Sequence, residues 1–187
     1  HDEQGEGWRA VARGASGDVI GHVAFYLSSP PNPLLYEHGQ LMVRHAYRHT
    51  DVAFALMNYS LAEIPRRHAL EQIWGEAVCN HLFSQMMTRE NGYVETGLEV
   101  DLMPAESYTQ AFGPGQVQKN RVSTLLVFRS FCANPQTIYL PQVYEEQLRF
   151  IYEATDSGHV FEVSTAPMPV GIRTQADICT FAGAGVS

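Results

Sequence analysis

Large and small or charged side chains alternate along residues 8–15 (WRAVARGA), and Ser16-Gly17-Asp18 follows with turn chemistry. Residues 19–28 (VIGHVAFYLS) are rich in β-branched and aromatic types, so the pattern predicts a β-hairpin. The next five residues, SPPNP, hold three prolines and continue neither strand nor helix, which makes them a loop. Residues 35–43 (LYEHGQLMV) read as another strand. The period then changes. Thr50-Asp51 offers an N-cap, and Val52, Ala53, Leu56, Tyr59, Ser60 and Glu63 recur at helical spacing up to Pro65, predicting a helix over about residues 51–64.

Residues 72–79 (QIWGEAVC) form a short apolar run suited to a buried strand, and 81–89 (HLFSQMMTR) put Leu82, Phe83, Met86 and Met87 on one helical face. Asn91-Gly92 supplies the stop. Alternation returns over 93–102 and 121–131, with a loop around FGPGQ between them. Residues 137–140 make a short strand, and Pro141 opens a helix with Val143, Tyr144, Leu148, Ile151 and Tyr152 in one stripe. Residues 159–164 (HVFEVS) close with a strand. The order is three strands, helix, strand, helix, two strands, then strand, helix, strand.

The 187 residues, 45% hydrophobic and 17% charged, describe a folded domain with part of a second. The chain carries 12 basic and 20 acidic side chains, a net charge of −8, and Lys119 is its single lysine, which argues against nucleic acid and anionic membrane as partners. No apolar run reaches the ~18 residues of a membrane helix, and HDEQGEGW is no signal peptide. The three cysteines, Cys79, Cys132 and Cys179, cannot all pair within one chain, which points to a reducing, cytoplasmic setting. A first residue that is His, and a tail (TFAGAGVS) that no element closes, suggest a piece of a longer protein.

The most informative stretch is the strand, then Tyr47-Arg48-His49-Thr50-Asp51-Val52-Ala53, then the helix, because such a turn presents unpaired amides and the positive end of the helix dipole. Anions, phosphate above all, bind such an end. Asp51 fits equally well as an ordinary cap or first-turn residue. Among the eight histidines, His45 and His49 stand four apart but flank a turn, and no carboxylate or cysteine set completes a metal site, so no metal is expected. Cys79, Met86 and Met87 read as core residues.

Arg48 to Ala53 at the head of a helix resemble the R-x-x-G-x-G/A turn of the GNAT superfamily of N-acetyltransferases, with Asp51 in place of the first glycine. A second block, residues 74–79, then 81–89, then Gly92-Tyr93, is similar to the family's next strand, helix and strand start, with His81 at a frequent Asn and Thr88 at the usual tyrosine. The resemblance spans about residues 8–131. It implies an α/β (α+β) fold with a mixed, mostly antiparallel GNAT-like sheet flanked by helices, here lacking the usual first strand and first two helices.

The resemblance further implies that acetyl-CoA binds as co-substrate and that its acetyl group goes to a small amine or a protein amine. Backbone groups of Leu41 and Val43 would hold the pantetheine, where the central strand splays from the next near Ala77. Amides of His49, Thr50, Asp51, Val52 and Ala53 would hold the pyrophosphate, Arg48 would add charge, and His81 would line the cofactor site. Glu37 or His38 would be the base; the plainer reading points one to the polar face of the sheet and gives the other to a loop. A threonine hydroxyl is a poor substitute for the tyrosine that protonates the departing thiolate. A like charge at Asp51 costs about 1 kcal/mol against a diphosphate in a wet site. Both features favour the alternative of a non-catalytic GNAT-like regulatory or assembly module, and a module for another nucleotide or acyl carrier is a third reading. Residues 1–131 form the core on this view. Residues 132–187 form an extension that packs on the core, begins a second domain or makes a homodimer.

Overall fold

The computed structural model of the chain describes residues 7–27, 35–104, 120–155, 157–165 and 171. The predicted loops at SPPNP and FGPGQ, the tail, Lys119 and Cys179 lie outside these residues. Strands β1 (Gly7–Arg13), β2 (Val19–Leu27) and β3 (Tyr36–Val43) lead into helix α1 (Val52–His68) through a 3-10 turn at His45–Tyr47. Strand β4 (Gln72–Val78), helix α2 (Leu82–Glu90), β5 (Val94–Pro104) and β6 (Arg121–Ser130) follow. Next come β7 (Thr137–Pro141), α3 (Glu145–Ala154) and β8 (Val160–Ser164).

The first six strands form one sheet in the order β1-β2-β3-β4-β6-β5, mixed but mostly antiparallel. Its one parallel pair is β3 with β4, and that ladder holds only Tyr36 opposite Ile73 and Glu37 opposite Trp74. Helix α1 packs across β1, β2 and β3, and α2 against β4. Phe25, Ile73 and Val127 from the sheet meet Met57, Leu61 and Ile64 of α1 and Met87 of α2 in the main core. A side chain the size of Ile73, fully buried, contributes about 1.5–3 kcal/mol by leaving water.

Helix α1 runs through Pro65 to His68, one turn past the predicted end at residue 64. Proline removes one donor but holds a helical φ, and both Arg66 and Arg67 bind Glu63 at 2.9 and 2.8 Å across that turn. The stripe of α2 is mostly open: Met87 is buried, whereas Leu82 is 70% and Met86 46% exposed, contrary to the core role given to Met86. Cys79 is likewise exposed, in the turn after β4 rather than in the strand.

Pro141 ends β7 instead of opening the following helix, and a 3-10 turn over Gln142–Tyr144 intervenes. Strands β7 and β8 pair in parallel across α3, with Leu140 fully buried. Contacts of Gln72 with Ser157 (3.5 Å) and Asn134 with Glu71 (3.4 Å) tie this unit to the core. The C-terminal end of α3 lies against the sheet. There Ala154 and Thr155 line a cavity of about 410 Å3 with Val94, Phe128 and Ser130. Among the described residues no helix is long and apolar enough to cross a membrane.

Helix α1 is closed by Ala69 in the left-handed conformation (φ 52°, ψ 41°), where a Cβ is disfavoured and glycine is at ease. Ala69→Gly is expected to stabilise the chain by about 0.5–1 kcal/mol in urea unfolding.

Candidate functional site

Beyond Glu37 and Trp74 the parallel ladder stops, and β3 and β4 continue as the two walls of a cleft. A β-bulge shapes the β3 wall: Ala24 pairs with Gly39 and His22 with Met42, so Val23 alone faces both Gln40 and Leu41. Gln40 takes the left-handed conformation (φ 56°), and its carbonyl meets His22 Nδ1 at 3.2 Å. The extra residue changes the phase of the strand. Tyr36 and His38 face the core before the bulge, Leu41 packs on the core after it, and Met42 turns 58% exposed.

The direction of the backbone groups follows from one bond. Arg44 N–H donates to the Ile20 carbonyl of β2 at 2.9 Å. Alternate residues of a strand point their amides the same way, so Met42 also faces β2 while Leu41 and Val43 face the cleft. The same argument applied to β4, from Cys79 N–H donating to Ser123 of β6 at 2.9 Å, turns the backbone of Glu76 and Val78 toward the cleft. The Val78 carbonyl accepts from the Gln85 side chain at 3.2 Å, and that of Val43 from Arg48 Nε at 3.3 Å.

Both helices begin at the mouth of this cleft. The first α-helical bond of α1 runs from Ala55 N–H to the Asp51 carbonyl at 2.8 Å, which leaves the amides of Val52, Ala53 and Phe54 ahead of the ladder. Asp51 is exposed and makes no side-chain cap bond, so the capping role open to it is not taken up. Thr50 instead donates its hydroxyl to the Tyr47 carbonyl at 2.7 Å, and His49 is exposed beside it. His81 takes the N-cap position of α2 and lies edge-on to Phe83, centroids 6.1 Å apart. Phe83 in turn meets Phe54 of α1 edge-on at 5.8 Å, which bridges the two helix starts. Thr88 donates its hydroxyl to the carbonyls of Ser84 (3.3 Å) and Gln85 (2.9 Å), inside its own helix.

The two residues considered as a base fall on opposite faces of the sheet. His38 is buried beneath α1, with Nδ1 2.6 Å from the Tyr93 hydroxyl and Nε2 3.3 Å from Ser60 Oγ. Ser60 also bonds the Met57 carbonyl at 3.1 Å. One set of protons satisfies every group: Tyr93 O–H donates to Nδ1, Nε2–H to Ser60, and Ser60 O–H to Met57. Burial, with the Arg129 guanidinium adding to it, lowers the His38 pKa from 6.5 to about 3. His38 is thus a neutral core histidine with both nitrogens occupied, which suits a pin between β3, α1 and the start of β5 better than a base.

Glu37 faces the other side and accepts a short hydrogen bond from the Tyr26 hydroxyl of β2. On that face stands a residue the sequence reading passed over. Glu76 of β4 has a pKa raised to about 7, first by burial and then by the charges of Glu37 and Glu99. Its sequence signal was present, since it is the one charged residue in β4 (QIWGEAV), which is otherwise apolar after Gln72. Trp74 shares the face with a buried indole N–H that has no hydrogen-bond partner among the described residues. Among the described residues no group of three His, Cys, Asp or Glu side chains is placed to hold a metal ion.

This architecture recurs in solved structures. A spermidine N-acetyltransferase chimera of SpeG from Vibrio cholerae and hSSAT superposes with a TM-score of 0.54 at 16% identity, covering 68% of this chain and 69% of that one. The ribosomal-protein-S18-alanine N-acetyltransferase from Escherichia coli gives 0.55 at 10% identity, covering 73% and 76%. The chain has the GNAT N-acetyltransferase fold. A Bacillus anthracis structure assigned as a streptothricin acetyltransferase, in complex with acetyl coenzyme A, gives 0.52 at 11% identity over 70% and 66%. No protein-family model and no curated protein matches the sequence. At such identities the likeness is one of fold.

The depressed His38 pKa has a definite sign for stability. Folding favours the neutral ring, so the contribution is fully present above pH 6.5 and is lost as pH falls from 6.5 toward 3. His38→Gln is expected to cost about 1–3 kcal/mol at pH 8 and progressively less toward pH 4, read from urea midpoints. A cost that stays constant across that range contradicts the buried, neutral assignment.

Proposed function

We propose that the chain binds acetyl-CoA in the β3/β4 cleft and transfers the acetyl group to an amine. The observation that carries this reading is the early end of the parallel ladder, which leaves the amides of Leu41 and Val43 turned to the cleft on the strand that leads into α1. An extended pantetheine arm carries amide groups and can pair with such an edge as an added strand would. Of the amides from His49 to Ala53, that of Thr50 already donates to the Tyr47 carbonyl at 3.2 Å and that of Val52 to Thr50 Oγ1 at 3.5 Å, so the pyrophosphate would meet those of His49, Asp51 and Ala53 with the dipole of α1 behind them, and Arg48 at the same turn adds positive charge. These donors fit the group, while the exposed carboxylate of Asp51 opposes it. Acetyl-CoA supplies a thioester, an acyl group ready for attack by a neutral amine.

The chain's own contribution is the proton. An ammonium acceptor must lose H+ before it can attack, and Glu76 with a pKa of about 7 is half carboxylate at neutral pH. It therefore replaces His38 as the base beside Glu37 in this reading. Thr88, its hydroxyl bonded within α2, is not set to protonate the leaving thiolate, so that proton comes from solvent or back from Glu76. The end of α3 over β5 and β6 lies on the face that carries Glu76 and would form part of the acceptor wall.

Asp51 and Thr88 together favour a second reading, a GNAT-like module that has kept the fold without the chemistry. Calorimetric titration separates the two. Micromolar binding of acetyl-CoA, weakened about tenfold by Arg48→Ala as the loss of ~1.4 kcal/mol of charge contact, supports the transferase. No binding at millimolar ligand removes it.

Where binding is found, thiol release with a panel of amines is expected to show kcat/KM rising with pH through about 7, the midpoint of Glu76. Glu76→Gln is to abolish that limb and lower kcat by about 100-fold or more. An unchanged profile in the variant excludes Glu76 as the base.

A further inference from the structure

The face of the sheet away from α1 carries three carboxylates on three strands, Glu37 on β3, Glu76 on β4 and Glu99 on β5. None of the ion pairs among the described residues involves them. Glu99 accepts from the Thr124 hydroxyl of β6 at 3.3 Å, and Glu37 from the Tyr26 hydroxyl of β2. Each outer carboxylate is thus held by a neutral hydroxyl, and Glu76 stands between them.

Tyr26 and Glu37 sit directly opposite each other in the β2/β3 register, where cross-strand side chains meet. The strand makes room for the pair two residues on. A Cβ at Gly39 would lie 3.0 Å from the Tyr26 hydroxyl and 3.3 Å from Glu37 Oε1, so any other residue there would press on both. The bulge at Gln40 follows at once, and with it the cleft.

We propose that Tyr26 is a positioning residue: its hydroxyl, directly across the β2/β3 register, anchors the Glu37 carboxylate in the space that Gly39 leaves, on the face that also carries Glu76. This rests on the reading of Glu76 as the base. A carboxylate on a flexible side chain relaxes toward water when its anchor is removed, and its effect on a neighbour falls with distance and with the rise in local dielectric. A fixed Glu37 keeps its charge where Glu76 feels it. Glu37 is the larger of the two charged influences on Glu76, with Glu99 the smaller. In this arrangement Tyr26 acts through Glu37.

The test is a carbon-detected NMR titration of the glutamate carboxyl groups in the full chain without acetyl-CoA, with Glu76 assigned from Glu76→Gln. The Glu76 midpoint near 7 is expected to fall by about half a unit or more in Tyr26→Phe and in Glu37→Gln. Gly39→Ala, which keeps the hydroxyl but crowds the pair, is to lower it as well. The double variant Tyr26→Phe with Glu37→Gln is to match Glu37→Gln alone. A midpoint unchanged or raised in Tyr26→Phe overturns the proposal, and so does one unchanged in Glu37→Gln. The titration needs no activity, so a failure here leaves acetyl transfer standing, and a failure to bind acetyl-CoA leaves the titration readable.

Discussion

Everything at the site depends on where β3 and β4 part. Two residue pairs hold these strands together, and the next residue on β3, His38, is pinned from below by Tyr93 and Ser60. Gly75 permits the last close approach, since a Cβ there would lie 2.9 Å from the His38 carbonyl. Past that point the walls diverge. A parallel pair that continued would consume the amides of Leu41 and Val43 in its own ladder, and the fold would have no edge to offer a ligand.

The sheet then divides the work between its faces. Beneath α1, polar groups are buried, mutually bonded and neutral, and their role is to hold strand and helix in register. On the other face, carboxylates are crowded and only partly solvated, which moves Glu76 into the range where it can exchange a proton at neutral pH. Glu37 and His38 are adjacent in sequence, yet the pleat puts them in these opposite environments.

Element order was largely legible because each element carries a clear period. The hairpin alternates, α1 repeats at helical spacing, and β4 is a short apolar run. What was not legible came from contacts remote in sequence. His38 is read as a base or a loop partner until Tyr93, 55 residues on, is seen to occupy it. The stripe of α2 promises a core helix, but α2 packs on β4 mainly through Met87, so Leu82 and Met86 stay open. The bulge at Gln40 has no glycine at the left-handed residue to announce it, and without the bulge the phase of Leu41 and Val43 cannot be assigned. Glu76 could have been found from its isolation in an apolar strand; its basicity could not, since that comes first from burial and then from the charges of Glu37 on β3 and Glu99 on β5.

The most direct test is residue-resolved amide hydrogen exchange on β3, free and with acetyl-CoA. Met42 and Arg44, turned to β2, should be protected in both states, while Leu41 and Val43 exchange freely alone and slow by about tenfold or more when the ligand pairs with them. Leu41 and Val43 exchanging at the same rate with saturating ligand would contradict the account, because the cleft edge would then not be what binds.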